Sequence, residues 1–423
     1  MTTHTIAITE DTATMGLLRL PRKVVLGAGQ RHAVGSIVSE IGRSALICTD
    51  SRLASSPELS HLIDSLTAAG VTATVYSDTA PELPVDGVVA CVNQLRGTDI
   101  DVVIGFGGGS CLDMAKVVAV LLAHGGSPKD YYGENLVPGP TVPVVGIPTT
   151  AGTGSEATPV AVLADPELSM KVGISSPHLI PEIAIIDPEL THSCPASLTA
   201  AAGIDAVVHL VESFTAIRRQ PSSTLTTERV FVGKTTLTDT YALSGLTLMK
   251  SGLVDAYRTP TNATARHDVM LASFYGGVAL GTAGTAAAHA LQYPLGALTH
   301  TPHGMGTGCL LPYVMRYNFP TRLHEFGQIA RAMGITSTDL DPIALARAGV
   351  EAVDALVDGV QIPRTLEALG LRREDIPVVA EQGLKSKRLV DNNPRLLDYD
   401  AALAITIAAF DGDRSFPPVL VDA

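Results

Sequence analysis

The chain reads as an α/β N-terminal domain with a parallel, Rossmann-like sheet, residues 1–190, followed by an all-α C-terminal domain, residues 191–423. Three observations predict this. Short β-branched runs alternate with helical or turn-rich stretches up to about residue 190, strands almost vanish after Pro195, and one buried apolar run ends in three consecutive glycines. Strands that alternate with helices favour parallel pairing, because each return crossing uses a helix and the helices then cover both faces of the sheet. At 423 residues the chain also exceeds one typical core, so two domains are expected.

In order, the expected strands are 23–26, 44–48, 71–76, 102–106, 142–147 and 183–186. Asp187-Pro188 and Cys194-Pro195 punctuate the chain where the boundary is placed. Beyond it, 200–216, 240–253 and 263–290 read as helices, a helix is expected to break at Pro294, and Ala/Leu/Arg-rich segments continue from His324 to the end. The stretch 218–239 interrupts this pattern with a proline, several Ser/Thr and the basic residues Arg218, Arg219, Arg229 and Lys234, and is expected to be a loop.

A hydrophobic fraction of 46% with 17% charged residues describes a compact globular protein. The net charge of −13, with no basic run to offset it, disfavours nucleic-acid and anionic membrane partners and leaves small molecules. Five scattered cysteines without a C-x-x-C pair suit a reducing compartment. The first sixteen residues lack the basic head and apolar stretch of a secretory signal, and apolar runs such as 117–123 and 401–410 fall short of the ~20 residues of a membrane span. A soluble cytoplasmic protein is the expectation.

The run 101–116 reads as strand, glycine turn and helix start. Gly107, Gly108 and Gly109 let the backbone approach a ligand, and free amides at the helix N-terminus attract diphosphate. The plain alternative is a turn in which Ser110 and Asp113 form a capping box. G-x-G-x-x-G is absent, so the standard dinucleotide fingerprint is not supported. A second loop, 148–156, gathers Thr149, Thr150 and Thr153 among glycines, where hydroxyls can meet phosphate, ribose or carboxamide. Asp50, after the strand 44–48, can accept from a ribose diol and repel a 2′-phosphate, favouring NAD over NADP; alternatively it is an ordinary turn aspartate.

Asp205 and His209 are four apart on an expected helix and so share a face. His289, and His303 in a Pro-His-Gly turn, supply two more imidazoles. One carboxylate with three neutral imidazoles suits Fe(II) or Zn(II), whereas Mg(II) or Ca(II) would want mostly oxygen. The chain has 12 histidines, and any one alone is an ordinary core or surface residue; it is the combination that points to a metal.

Together these segments resemble the iron-containing (group III) alcohol dehydrogenase family. Residues 203–209, 289–294 and 302–304 match its metal motifs, and 107–116 and 148–156 match the Gly-Gly-Gly-Ser-x-x-Asp-x-Ala-Lys and Pro-Thr-Thr-Ala-Gly-Thr-Gly-Ser-Glu signatures along its NAD(P) cleft. The resemblance spans roughly residues 21–318. It implies the dehydroquinate synthase-like architecture, reversible hydride transfer between a nicotinamide and an alcohol or carbonyl carbon, a homodimer, and a role near the cofactor ribose for Lys171. One position departs: Tyr293 stands where many members carry a second histidine that positions substrate or relays a proton. A phenol, with an ordinary pKa of about 10, cannot replace imidazole as a neutral-pH base. The Tyr-Pro pair and the long basic insertion look more like the hydroxyacid-oxoacid transhydrogenase branch, which works through bound NAD. Arg218 and Arg219 lie nine and ten positions beyond His209, so a loop that folds back would set Arg218, Arg219, Arg229 and Lys234 as a positive collar for a carboxylate-bearing substrate; the plain alternative is a solvated loop whose charges only aid solubility. A metal- and NAD-dependent lyase or synthase of the dehydroquinate synthase type and a non-catalytic sensor are the alternatives.

Overall fold

The computed structural model describes residues 15–415 apart from Ser169. Most of the N-terminal stretch read against a secretory signal, residues 1–14, therefore lies outside the described residues. The strands are β1 (Lys23–Leu26), β2 (Ser44–Cys48), β3 (Thr72–Tyr76), β4 (Val102–Gly107), β5 (Gly133–Glu134), β6 (Val144–Pro148), β7 (Val160–Asp165), β8 (Met170–Ser175) and β9 (Ile183–Ile186). Six of them, all expected from the sequence, form one sheet in the order β1-β9-β6-β4-β2-β3, and every pairing is parallel.

Successive residues of a strand face opposite sides, and here both sides are buried. Ala45, Ile47, Ile104 and Val145 enter one core with Leu59 and Leu62 of the helix Pro57–Ala68. Leu46, Cys48, Val103 and Val144 enter another with Met114 and Val117 of helix α1 (Gly109–His124). That is why these strands read as continuous apolar runs. Connections leave β2 toward β3 on one side and β4 toward β6 on the other, so the carboxyl ends of β2 and β4 bracket the switch-point crevice, where open α/β sheets bind ligands.

The second sheet, β5-β8-β7, was not anticipated. Its β7–β8 hairpin pairs Val160 with Ser175 through Asp165 with Met170, around a turn opened by Asp165-Pro166. β7 alternates in burial, but its sequence Val-Ala-Val-Leu-Ala-Asp does not alternate in polarity, so no period-2 pattern marks it.

After β9 the described elements are helical apart from one isolated bridge between Arg218 and Gly233. The helices that matter for the site are α2 (Ala196–Thr215), α3 (Thr236–Arg258), α4 (Ala263–Ala283), α5 (Ala287–Thr299) and α6 (His303–Asn318). Among the described residues α2 alone is by itself long and apolar enough to cross a membrane, and 89% of that window is buried inside the protein.

Four sequence expectations need correction here. The helix expected over 263–290 is two helices bent by 104°. Gly284, at φ +79, ends α4, and Asn392 donates to the freed carbonyls of Ala283 (2.9 Å) and Thr285 (3.1 Å). Pro294 does not break its helix: α5 runs through it to His300, whose φ of +55 makes the stop. The Ser110–Asp113 capping box does not form; Gly108 is the N-cap, without side-chain help. The expected loop 218–239 contains a short helix, Leu225–Glu228, and ends at Thr235, because Thr235 and Thr238 cap α3 reciprocally.

Candidate active site and metal centre

Helix α2 presents Asp205, His209 and then Glu212 along one buried stripe. The bend at Gly284 delivers His289 in the first turn of α5, and His303 is the first residue of α6. Asp205 collects all three imidazoles: its Oδ2 lies 3.6 Å from His209 Nε2, and its Oδ1 lies 3.9 Å from His289 Nε2 and 3.6 Å from His303 Nε2. Donor atoms of Asp205, His209 and His289 all lie within 4.8 Å of one another. His303 reaches the same carboxylate from the more exposed rim.

Neighbours fix which nitrogen points inward. His289 Nδ1 donates to Glu212 Oε2 at 2.7 Å, and His303 Nδ1 donates to the Gln292 side-chain oxygen at 2.6 Å. Both Nε2 lone pairs therefore face Asp205. Glu212 is itself anchored by the amides of Ala286 (2.8 Å) and Ala288 (2.7 Å), and Thr307 donates to Asp205 Oδ1 at 3.0 Å. Burial pushes the His209 and His303 pKa values down, His303 well below its ordinary value, so these rings are neutral and ligand-ready. Burial acts to raise Asp205, while any proton held on His209, His303 or His289 and the Thr307 hydroxyl bond act the other way and hold its carboxyl below the ordinary value. Among the described residues, His289 Nε2 is buried without a hydrogen-bond partner. An orphaned ring nitrogen aimed at a carboxylate and two further imidazoles is the donor set of a mixed N/O metal site, since ligands bound at ~2.0–2.2 Å to one ion stand within ~4.4 Å of each other.

Across the cleft, the glycine turn is pressed against the second loop: a Cβ on Gly109 would lie 2.6 Å from Thr153 Cγ2. No side chain caps α1, which leaves its N-terminal amides for a ligand. Thr150 lies against Gly108, and Thr149, next to Gly107, is buried with its hydroxyl unpartnered. Asp113 lines the cavity, yet its oxygens are already engaged by Ser155 Oγ (2.6 Å) and the Val162 amide (2.9 Å), so it joins loop, helix and hairpin. Asp50 caps the short helix Ser51–Ala54 through the Leu53 amide (2.9 Å); its other oxygen lies 4.0 Å from Cys111 Sγ of α1 and 3.9 Å from Arg52. The turn role is thus observed, and one oxygen is still directed at the crevice side of α1. Lys171, on β8, lines the cavity and pairs with Glu82. Glu82 and Leu83 hold φ of +65 and +49, unusual for non-glycine residues and typical of a constrained functional loop.

One cavity of about 180 Å³ joins Gly109 and Ser110 to Asp205, His209, His289 and His303. Tyr293 lines it with its ring 6.2 Å from that of His303, at 28°. Burial raises the Tyr293 pKa further, so the phenol stays protonated at neutral pH. A second cavity of about 600 Å³ opens beyond Tyr293 and the Glu82–Lys171 pair.

The positive collar is not formed. Lys234 is 4% exposed, paired with Asp239 (3.0 Å) and Glu325 (3.5 Å) and stacked 4.5 Å above Phe214. Arg218 also pairs with Asp239, and Arg229 is exposed without lining the cavity. The insertion does fold back to the cleft, but it inserts Phe231. Besides Lys171, which pairs with Glu82, the cation lining the cavity is Arg388, which the sequence reading missed along with Glu212, Gln292 and Glu82. Glu212 and Gln292 had a signal, each lying three residues beyond a proposed ligand on the same helix face. Arg388 had none.

The profile of the family described as "Iron-containing alcohol dehydrogenase" matches residues 21–188, and that of the "Fe-containing alcohol dehydrogenase family, C-terminal" matches 199–410. The chain belongs to the iron-containing alcohol dehydrogenase family. It is 33% identical to a sulfoacetaldehyde reductase of Bilophila wadsworthia over 92% of this chain and 98% of that protein. A 1,3-propanediol oxidoreductase structure superposes with a TM-score of 0.87 at 30% identity, covering 94% of this chain and all of that one. A sulfoacetaldehyde reductase from Bifidobacterium kashiwanohense, solved with NAD+, superposes with a TM-score of 0.79 at 27% identity over 93% and 98%. This dehydrogenase is accordingly a metal-dependent, NAD-linked oxidoreductase of alcohols and aldehydes, which selects hydride transfer over the synthase and sensor alternatives.

Proposed function

We propose that the enzyme interconverts a small aldehyde and its alcohol with NAD(H) at Fe(II) or Zn(II) held by Asp205, His209, His289 and His303. The observation that carries this is the buried, partnerless His289 Nε2 directed at Asp205 in the same cavity as the glycine turn. A bound divalent metal supplies Lewis acidity toward the substrate oxygen, and NAD supplies or accepts the hydride. The protein contributes the rest. Glu212 and Gln292 lock the two ring tautomers, and Thr307 orients the carboxylate. The open N-terminus of α1, with Gly107–Gly109 and Ser110, receives the diphosphate, while Thr149, Thr150 and Thr153 shape the loop that faces it. Lys171 is read as meeting the cofactor ribose, and protonated Tyr293 as donating one hydrogen bond at the substrate end of the cleft.

NAD is preferred to NADP in this reading because Asp50 Oδ2, met by Cys111 Sγ at 4.0 Å and Arg52 at 3.9 Å, keeps a carboxylate charge toward a 2′-phosphate. Asp50→Asn keeps the cap and removes the charge, and is expected to narrow the NAD/NADP preference by about 1–3 kcal/mol. An unchanged ratio would leave Asp50 as a cap alone. Five buried free cysteines and the acidic surface support a cytoplasmic setting, and the family habit together with edge strand β1, whose Val24 is exposed, supports a homodimer. Metal analysis of the purified protein together with NADH consumption over a panel of aldehydes tests the assignment. Net NADH consumption is expected; hydride passing only between an added alcohol–carbonyl pair would select the transhydrogenase branch.

A further inference from the structure

Arg388 lies in a four-residue helix, Lys387–Val390, with its guanidinium 4.2 Å above the ring of Phe231, and both line the cavity that holds His289, His303 and Tyr293. Among the described residues no carboxylate pairs with it and no acceptor is hydrogen-bonded to it. Arg388 is half-buried and open to the cavity, whereas the fully buried cations are each given partners. Lys234 has Asp239 and Glu325, Arg316 has Asp354 at 2.7 Å, and Lys116 has three oxygens. The carboxylates whose fields reach Arg388 are already engaged, Glu134 by the amides of Val230 (2.8 Å) and Phe231 (3.4 Å) and Glu212 by two amides and His289, and the neighbouring Tyr293 phenol is neutral. Burial lowers the Arg388 pKa, yet a guanidinium stays charged, so an uncompensated cation with free donors faces the cavity.

We infer that Arg388, held on its Phe231 platform, is the receptor for an anionic tail of the substrate, a carboxylate or sulfonate on the aldehyde or alcohol whose reacting oxygen meets the Asp205–His cluster. The inference rests on the oxidoreductase reading above and narrows its substrate class. A guanidinium stacked on a ring keeps its edge donors free for two oxygens of one oxyanion. The platform is built in advance, since Glu134 holds the Phe231 backbone and Arg19 donates to Val230 O at 2.8 Å. The cofactor diphosphate is the competing anion, but its donors lie across the cleft at the start of α1. The conversion is R–CHO + NADH + H⁺ → R–CH₂OH + NAD⁺, with the anionic group carried unchanged in R.

The test compares NADH consumption by the metal-loaded full chain with three aldehydes of equal length: an ω-oxo carboxylate, an ω-oxo sulfonate and a neutral aldehyde. Wild type should prefer one anionic aldehyde over the neutral one at least about tenfold in kcat/KM, and which one identifies the oxyanion. Arg388→Gln should lower that ratio about 10- to 100-fold, mainly through KM, with metal content and KM for NADH retained. Arg388→Lys keeps charge without the planar fork and should lower the ratio several-fold; it serves where the Gln variant folds poorly. Equal kcat/KM for all three aldehydes in wild type, or a ratio unmoved in both variants, overturns the inference. A raised KM for NADH with an unmoved ratio would assign Arg388 to the cofactor and likewise overturn it. No NADH consumption with any aldehyde would remove the oxidoreductase reading itself, and this inference with it.

Discussion

Lys116 on α1 and His289 on α5 are almost equally buried, 1% and 3% exposed, on opposite sides of one cleft. Lys116 spends all three donors, on Thr158 O (3.0 Å), Thr158 Oγ1 (2.9 Å) and Val160 O (2.8 Å), with Asp113 beside it at 3.9 Å. His289 satisfies one nitrogen on Glu212 and leaves the other without a hydrogen bond among the described residues, 3.9 Å from Asp205. A closed polar network ties elements together; an open one with convergent lone pairs is shaped for something from outside. The difference separates scaffold from site although both are buried charge clusters in the same cleft.

Breaking the open cluster has the largest expected effect. His289→Ala removes one of four ligands, so metal content and kcat should fall together, kcat on the order of 10³-fold, while NAD binding, seated across the cleft, survives. Full metal occupancy with full activity would show that the cluster is only a polar core. Breaking the closed cluster should do the reverse. Lys116→Met strands Asp113 and the Thr158 and Val160 carbonyls, and should cost about 3 kcal/mol in denaturant unfolding with metal content kept. Metal loss at unchanged stability in that variant would erase the distinction.

The closed side also carries a pH signature. Burial raises the Glu156 pKa from 4.5 to about 7, against the pull of Lys116. The folded protein therefore keeps a proton that the unfolded chain releases between about pH 4.5 and 7, so this group's contribution to stability is full below 4.5 and is lost as pH rises through 7. Glu156→Gln should abolish that decline, which is worth roughly 2 kcal/mol between pH 5 and 7.5. An unchanged slope in urea midpoints would place the titration elsewhere. The smallest effect is expected from Glu212→Gln, which leaves every ligand in place but weakens the hold on His289 Nδ1. Metal affinity should drop about 10- to 100-fold in competition with a chelator; an unaltered affinity would make Glu212 a cap for Ala286 and Ala288 only.

Much of this was legible in the chain itself. The six parallel strands appear as buried β-branched runs because both faces of the sheet are covered. Asp205 and His209 share a face because a helix repeats every 3.6 residues, and the glycine turn was visible because free amides and close approach require glycine there. Local periodicity and backbone sterics act within a few residues, so the sequence by itself determines such features. The fate of the charges was settled otherwise. The closeness of Arg218 and Arg219 to His209 in sequence suggests a loop carrying Arg229 and Lys234 back to the cleft, but whether a cation faces solvent, a carboxylate or a cavity depends on partners far away in sequence: Lys234 found Glu325, and Arg388 was brought over Phe231. Likewise the bend at Gly284 is held by Asn392, 108 residues on, and without it His289 would continue the line of α4. Only the tertiary structure decides such matters, because the energy of a buried charge is set by what packs around it, and that neighbourhood is not encoded in any local stretch.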